Sequence, residues 1–224
     1  FTGSIYSKKP SPIMLLDAIV NLVNKKKIPE GSIIIEFYGS RLDHIKHLSE
    51  KSKYLNLIAI KGHIPRLKVL EEQKKADLLL LLASSKEISR GHLTGKIFEY
   101  MSAGRPILCI GGRSNFEIGK VLKMTNTGIV FEKHDIKKLE DLICKYYYGE
   151  GLLRNYKPNI NKVLSFSRER IANNFLRKIK KIFLARKKLK SIKFIKSIKF
   201  DNKTPRVIHL ITGLERGGAE RFLY

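Results

Sequence analysis

"GHLTGKIFEYMSAGRPILCIGG", residues 91 to 112, holds a complete structural phrase. Gly95 closes a turn, residues 94 to 103 read as a helix, Gly104 ends it, Pro106 opens the next turn, and Ile107 to Ile110 is an apolar strand. A glycine turn that enters a helix and returns as a buried strand is the repeating element of a parallel sheet wound by helices. Gly91, Gly95 and Lys96 invite comparison with a phosphate loop, but the Walker spacing requires glycine at 90 and Ser or Thr at 97. Arg90 and Ile97 stand there, which excludes a P-loop NTPase.

The same phrase recurs outward from this stretch. Apolar runs at Phe1 to Tyr6, Ile33 to Tyr38, Leu57 to Ile60, Leu78 to Ala83 and Gly128 to Phe131 join Ile107 to Ile110 as strand candidates. Helical patterns lie between them, at "SPIMLLDAIVNLVNKK" with Pro12 in its first turn and at 66 to 75, 115 to 124 and 136 to 147. Six strands in order with five crossovers predict an α/β fold, a doubly wound parallel sheet of Rossmann-like type. Ligands are expected at the carboxyl ends of its strands.

After Tyr148 the pattern changes. Ile171, Phe175, Ile179, Ile182, Phe183, Leu189, Ile192 and Ile195 recur at roughly helical spacing, and residues 177 to 199 hold 11 basic residues and no acid. This is a basic amphipathic helical extension. The formal charge of the chain is +25, and residues 151 to 203 concentrate it, with 17 Lys and Arg against Glu169 and Asp201. Such a balance points to nucleic acid, anionic lipid or phosphorylated ligands. Cys109 and Cys144 are too few for a disulfide framework and read as packing residues in a reducing compartment. The longest apolar run, Leu78 to Ala83, is far short of the ~20 residues that cross a bilayer. Phe1, with no charged and apolar leader before the first strand, reads as a cut end.

The chemistry concentrates where the chain turns into the helix at residue 94. Free N–H groups of a first helical turn favour phosphate through hydrogen bonds and the helix dipole, and Lys96 adds a full charge. Glu99 lies at i+3 from Lys96 and can accept hydrogen bonds from two adjacent ribose hydroxyls. Helix chemistry alone equally allows a surface ion pair between Lys96 and Glu99. Tyr100 and Met101 read as core-facing. His44 and His47 lack a third ligand, so no metal site is expected.

"LTGKIFEYMSAGRPILCIGG", together with "FTGSIYSKKPSPIMLLDAI", "IIIEFYGS", "IKGHIPRLKVLEEQKKADLLLLLASS" and "TNTGIVF", resembles the C-terminal, donor-binding domain of a GT-B glycosyltransferase of the group 1 (family four) type. The resemblance covers residues 1 to about 183 and rests on five blocks in order. It implies transfer of a sugar from a nucleotide diphosphate sugar, UDP- or GDP-linked, with retention and without a bound metal or other cofactor. It also implies that Glu99 holds the donor ribose, that the Gly3–Ser4 turn approaches the phosphates, and that Lys8 or Lys9 helps neutralise them. The amides of Thr94, Gly95 and Lys96 become candidates for the diphosphate, and Gly62, His63 and Ile64 for the base edge. No catalytic residue is assigned, although Lys9 and Lys96 are candidate stabilisers of the leaving group. The family's commoner pattern carries a first glutamate where this chain has Gly91, and Glu87 is four residues too early to replace it.

The closing stretch, "VIHLITGLERGGAERFL", is similar to the first strand, loop and helix of the acceptor-side domain of the same family, with Gly217 and Gly218 in its turn. The expected division is therefore a donor-binding domain over 1–148, a basic connector over 149–203, and the opening of a second Rossmann-like domain over 204–224. Expected partners are a nucleotide sugar, a glycan or lipid-linked acceptor, and an anionic membrane surface met by residues 168–200. The expected location is the cytoplasm, peripheral on the inner face of the cell membrane, with the isolated chain inactive for want of an acceptor domain. The alternative class is a basic α/β protein that binds nucleic acid or membrane without transferase activity. It lacks a recognisable nucleic-acid reading motif.

Overall fold

The computed structural model of the chain describes residues 1–5, 10–150 and 156–190. They fall into two compact units, Phe1–Leu164 and a second that begins at Ser165.

The first unit alternates helices and strands in the order α1 (Ile13–Asn24), β1 (Ile35–Tyr38), α2 (Asp43–Ser49), β2 (Ile58–Gly62), α3 (Arg66–Lys75) and β3 (Leu79–Leu82). It continues through α4 (Gly95–Ala103), β4 (Ile107–Ile110), α5 (Glu117–Thr125), β5 (Gly128–Phe131), α6 (Ile136–Tyr147) and α7 (Ile160–Leu164). Every strand pairing among the described residues is parallel. β3 and β4, "LLLL" and "ILCI", are buried along their whole length, the composition expected of strands covered on both faces. α1 turns Leu15, Leu16, Ala18, Ile19 and Leu22 inward at helical spacing and packs against α6. Asn21 of α1 and Lys25, just past its end, also donate to the Glu140 carboxylate of α6, at 2.8 and 2.7 Å. Cys109, at the middle of β4, is fully buried, and desolvation pushes its thiol up to about 12.

The strands form two sheets, β1 beside β2 and β3–β4–β5, where the sequence predicts one six-stranded sheet. The difference lies in the first predicted strand. Between Phe1 and Ile5 it makes a single parallel bridge, Thr2 to Tyr38. Gly3 has φ +113°, which turns the chain out of strand conformation, and the Thr2 N–H donates to the Tyr100 hydroxyl at 3.0 Å instead of to a neighbouring strand. Between the sheets lies a cavity of about 380 Å³, lined in part by Phe1, Leu15, Ile35, Leu80, Leu108 and Ile143.

The compact unit runs past Tyr148. The Asn159 N–H donates to the Thr125 carbonyl at 2.7 Å, and the Asn126 side chain donates to the Lys157 carbonyl at 2.7 Å, so residues 156 to 164 close over the end of α5. In the second unit Ser167 begins α8 (Arg168–Lys190). Its carbonyl accepts from the Ile171 N–H at 2.9 Å, and its hydroxyl accepts from the Arg170 N–H at 3.3 Å. Glu169 in the first turn complements the helix dipole. The closing stretch 204–224 and residues 151–155 and 191–203 of the connector lie outside the described residues.

Candidate functional site

Three glycine turns meet at the carboxyl ends of the strands. The Gly3 N–H donates to the Tyr38 carbonyl at 2.7 Å, and the Gly39 N–H donates to the Gly62 carbonyl at 2.8 Å. A Cβ on Gly39 would stand 2.2 Å from the Gly3 carbonyl oxygen, so the first two turns approach in a way that only glycine allows. Ser4 and Ser40 face each other across the same junction, with their hydroxyls 3.5 Å apart. Gly39 and Ser40 escape sequence reasoning about the site, although a signal for them was present. "FTGS" at residues 1 to 4 is echoed by "FYGS" at 37 to 40, an aromatic strand end followed by the same Gly-Ser turn.

Lys96 runs beneath the first of these turns. A Cβ on Gly3 would lie 2.4 Å from the lysine Cε, so the glycine clears the space that the side chain occupies. The Lys96 Nζ rests 4.4 Å from the centroid of the Phe1 ring, within cation–π range. Burial lowers the pKa of this ammonium, and the Glu99 carboxylate acts in the opposite direction. Among the described residues this partly desolvated cation is paired directly by no carboxylate.

The start of α4 lies beside it. Thr94 is extended before the helix and makes no side-chain cap, and its hydroxyl oxygen is buried without a hydrogen-bond partner among the described residues. A buried hydroxyl left unpaired is uncommon and costly. The first helical turn also leaves the amides of Gly95 and Lys96 without intrahelical acceptors, and Gly95 is exposed. One turn further, Glu99 accepts from the Arg66 guanidinium at 3.3 Å. The ion pair considered between Lys96 and Glu99 is therefore replaced by one from α3. Arg66 sits at the base of the loop carrying His63 and Ile64, so it ties that loop to the carboxylate. Nothing in local spacing reveals this pair, whose members are 33 positions apart.

A buried network fixes the geometry behind the site. Tyr100, fully buried as expected, meets the Thr2 N–H and lies 3.3 Å from the Thr2 hydroxyl, while the Gln73 amide donates to that hydroxyl at 3.0 Å. α3 and α4 thereby hold the residue before Gly3. Gly3, Ser4, Gly62, Thr94, Gly95, Lys96 and Glu99 all belong to this constellation, with His63 exposed and Ile64 half-buried on the adjoining loop. Lys8, Lys9, Gly217 and Gly218 lie outside the described residues. Glu87 is engaged elsewhere, by Arg90 at 3.1 Å and Arg113 at 3.5 Å. Around Gly91 the position of a Cβ is open. Among the described residues no group of three His, Cys, Asp or Glu side chains is arranged to hold a metal ion.

The family model for glycosyl transferases group 1 matches residues 6–163. Two solved structures share the fold: TarM from S. aureus, a point mutant in complex with fondaparinux, alpha-GlcNAc-glycerol and UDP, at TM-score 0.54 and 16% identity, and TarM in a second crystal structure at 0.52 and 20%. Each alignment covers 79% of this chain and 34% of the TarM chain, so the chain spans about a third of the length of these structures. No curated protein matches it.

Proposed function

The chain belongs to the glycosyl transferases group 1 family, and from that premise we propose that its first unit binds the nucleoside diphosphate sugar from which a glycosyl group is transferred. The observation that carries this reading is the convergence of the Gly3 turn, the desolvated Lys96 and the uncapped start of α4 on one point, with Glu99 one turn below. The diphosphate sits at the helix start, where the amides of Gly95 and Lys96 and the lysine charge meet it. Its arrival supplies the counter-charge that Lys96 lacks. Glu99 accepts the ribose hydroxyls, which requires it to share or release Arg66. The base lies along Gly62–Ile64. Uridine is the preferred nucleoside, since the structurally similar TarM was crystallised with UDP.

In the transfer, an acceptor hydroxyl oxygen forms a bond to the anomeric carbon, while the bond from that carbon to the β-phosphate oxygen breaks. The electron pair leaves on the diphosphate, and the hydroxyl proton leaves with it or to solvent. Fixed dipoles and a cation aimed at the leaving group stabilise that charge as it develops. The acceptor is a glycan or lipid-linked alcohol, the anomeric configuration is retained, and the reaction takes place on the cytoplasmic side of the membrane. In the same reading residues 1–148 form the donor domain, 149–203 a connector, and 204–224 the opening of a second α/β domain.

Titration of the full chain with UDP, GDP, ADP and CMP, followed by calorimetry and thermal shift, tests the assignment. A diphosphate is expected to bind at least tenfold more tightly than CMP. Indifference to all four nucleotides, combined with tight and steeply salt-dependent binding of DNA, would sink it.

A further inference from the structure

We infer that α8 is a docking surface for an anionic lipid bilayer, lying in the plane of the headgroups. The inference goes beyond the donor site and stands independently of it. At about 100° per residue, Ile171, Ile182, Phe175, Ile179 and Phe183 fall within one third of the helix circumference. They are 52%, 63%, 62%, 43% and 52% exposed, respectively. An apolar stripe of this size left in water calls for a cover. Lys180, Arg177 and Lys181 lie around the other side with Leu184 among them, Lys178 flanks the stripe next to Ile171, and the only acid from the start of α8 to Lys190 is Glu169, in the first turn.

Each alternative cover uses only half of these features. A second copy of α8 would bury the stripe, but it would set lysine against lysine along both flanks, with no acid beyond Glu169 to pair across the seam. A nucleic acid would neutralise the charge and leave the isoleucines and phenylalanines in water. A bilayer containing anionic lipid satisfies both faces at once. The stripe enters the boundary between headgroups and acyl chains, and the lysines and arginine meet lipid phosphates. The sequence continues the same chemistry past Lys190, with Lys193, Lys196 and Lys199 spaced among Ile192, Phe194, Ile195 and Ile198. No helix among the described residues is long and apolar enough to cross a membrane, so the contact is peripheral.

The test is flotation of the full chain with phosphatidylcholine vesicles, with and without about one third phosphatidylglycerol. The wild-type chain is expected to float with the anionic vesicles and to remain in the soluble fraction with pure phosphatidylcholine. Two variants separate adsorption of charge from insertion of the face. Phe175→Ser with Ile179→Ser and Phe183→Ser keeps every charge, and Lys178→Gln with Lys180→Gln and Lys181→Gln keeps every apolar side chain. Each is expected to lower the bound fraction at least tenfold, with the UDP thermal shift of the first unit unchanged as the control for folding. Undiminished flotation of the apolar-face variant would overturn the inference, because the +25 chain would then be adsorbing by charge alone. It would be overturned equally by absence of the wild-type chain from the vesicle fraction, or by a stable dimer that the same apolar substitutions dissolve. A wild-type chain that shows the UDP shift and yet stays out of the vesicle fraction refutes the membrane surface and leaves the donor site standing.

Discussion

Two regions use positive charge in opposite ways. At the start of α4 a single lysine is threaded beneath Gly3 and laid against the Phe1 ring, where burial disfavours its charged form. Along α8 basic side chains stand in the open, flanking and opposing an exposed apolar stripe. Net charge describes the second region and hides the first. A solvated lysine is screened within about a Debye length, ~8 Å at physiological salt. A desolvated one acts on a ligand at contact, so confinement rather than number marks the proposed donor site.

The strongest way to break this contrast is to take away the confinement. Gly3→Ala adds a Cβ 2.4 Å from the Lys96 Cε at a backbone φ of +113°. It is expected to destabilise the first unit by about 2–3 kcal/mol and to abolish nucleotide binding, measured by thermal unfolding and by calorimetry with UDP. Gly91→Ala, where a Cβ meets nothing within 4 Å, is the matched control and should leave both unchanged.

Removing the charge while keeping the shape sharpens the contrast. Lys96→Met is expected to weaken diphosphate binding by about 10–100-fold, the size of a charge-assisted hydrogen bond. The same substitution should leave the melting temperature of the free protein unchanged or raised, because the cation is disfavoured until an anion arrives. A lysine on α8, changed singly to methionine, should shift neither quantity. Glu99→Gln comes next, with about a tenfold loss of nucleotide affinity and a stability change under ~1 kcal/mol, since its bond to Arg66 is partly exposed.

The smallest effect concerns a confined anion. The Lys25 ammonium, aided by Asn21, holds the Glu140 carboxyl below the usual carboxylate range, against the opposing effect of burial. A carboxyl whose folded pKa lies below its unfolded value stabilises the fold above that unfolded value, and the contribution is lost as pH falls through the folded one. Wild-type protein should therefore lose up to ~1 kcal/mol more than Glu140→Gln as the pH drops below about 4.5. Urea unfolding at pH 6 and pH 3 measures the difference.

The order of strands and helices was legible because each buried strand is a short apolar run between turn residues. The proposed strand Ile107 to Ile110 and helix 136 to 147 coincide with β4 and α6. The helix after Thr94 and its stop at Gly104, with φ +70°, were equally readable from local chemistry. What was not legible depends on long-range partners. The first strand is cut short because Thr2 finds Tyr100, a residue 98 positions away, and Glu99 is taken by Arg66 across two helices. The Gly39 contact is intermediate, since its repeat of the Gly3 turn is visible in the sequence but the collision that requires glycine is a matter of packing.

The burial of Cys109 gives the fold a chemical clock. Thiolates, not thiols, attack alkylating reagents, and this thiol is both inaccessible and held up to about 12. Its modification must then wait for the β3–β4–β5 sheet to open. The half-buried Cys144, on the outer helix α6, provides an internal standard on the same chain. The ratio of the two labelling rates converts a simple mass measurement into the opening equilibrium of the sheet, and a bound nucleotide should slow the first rate without altering the second.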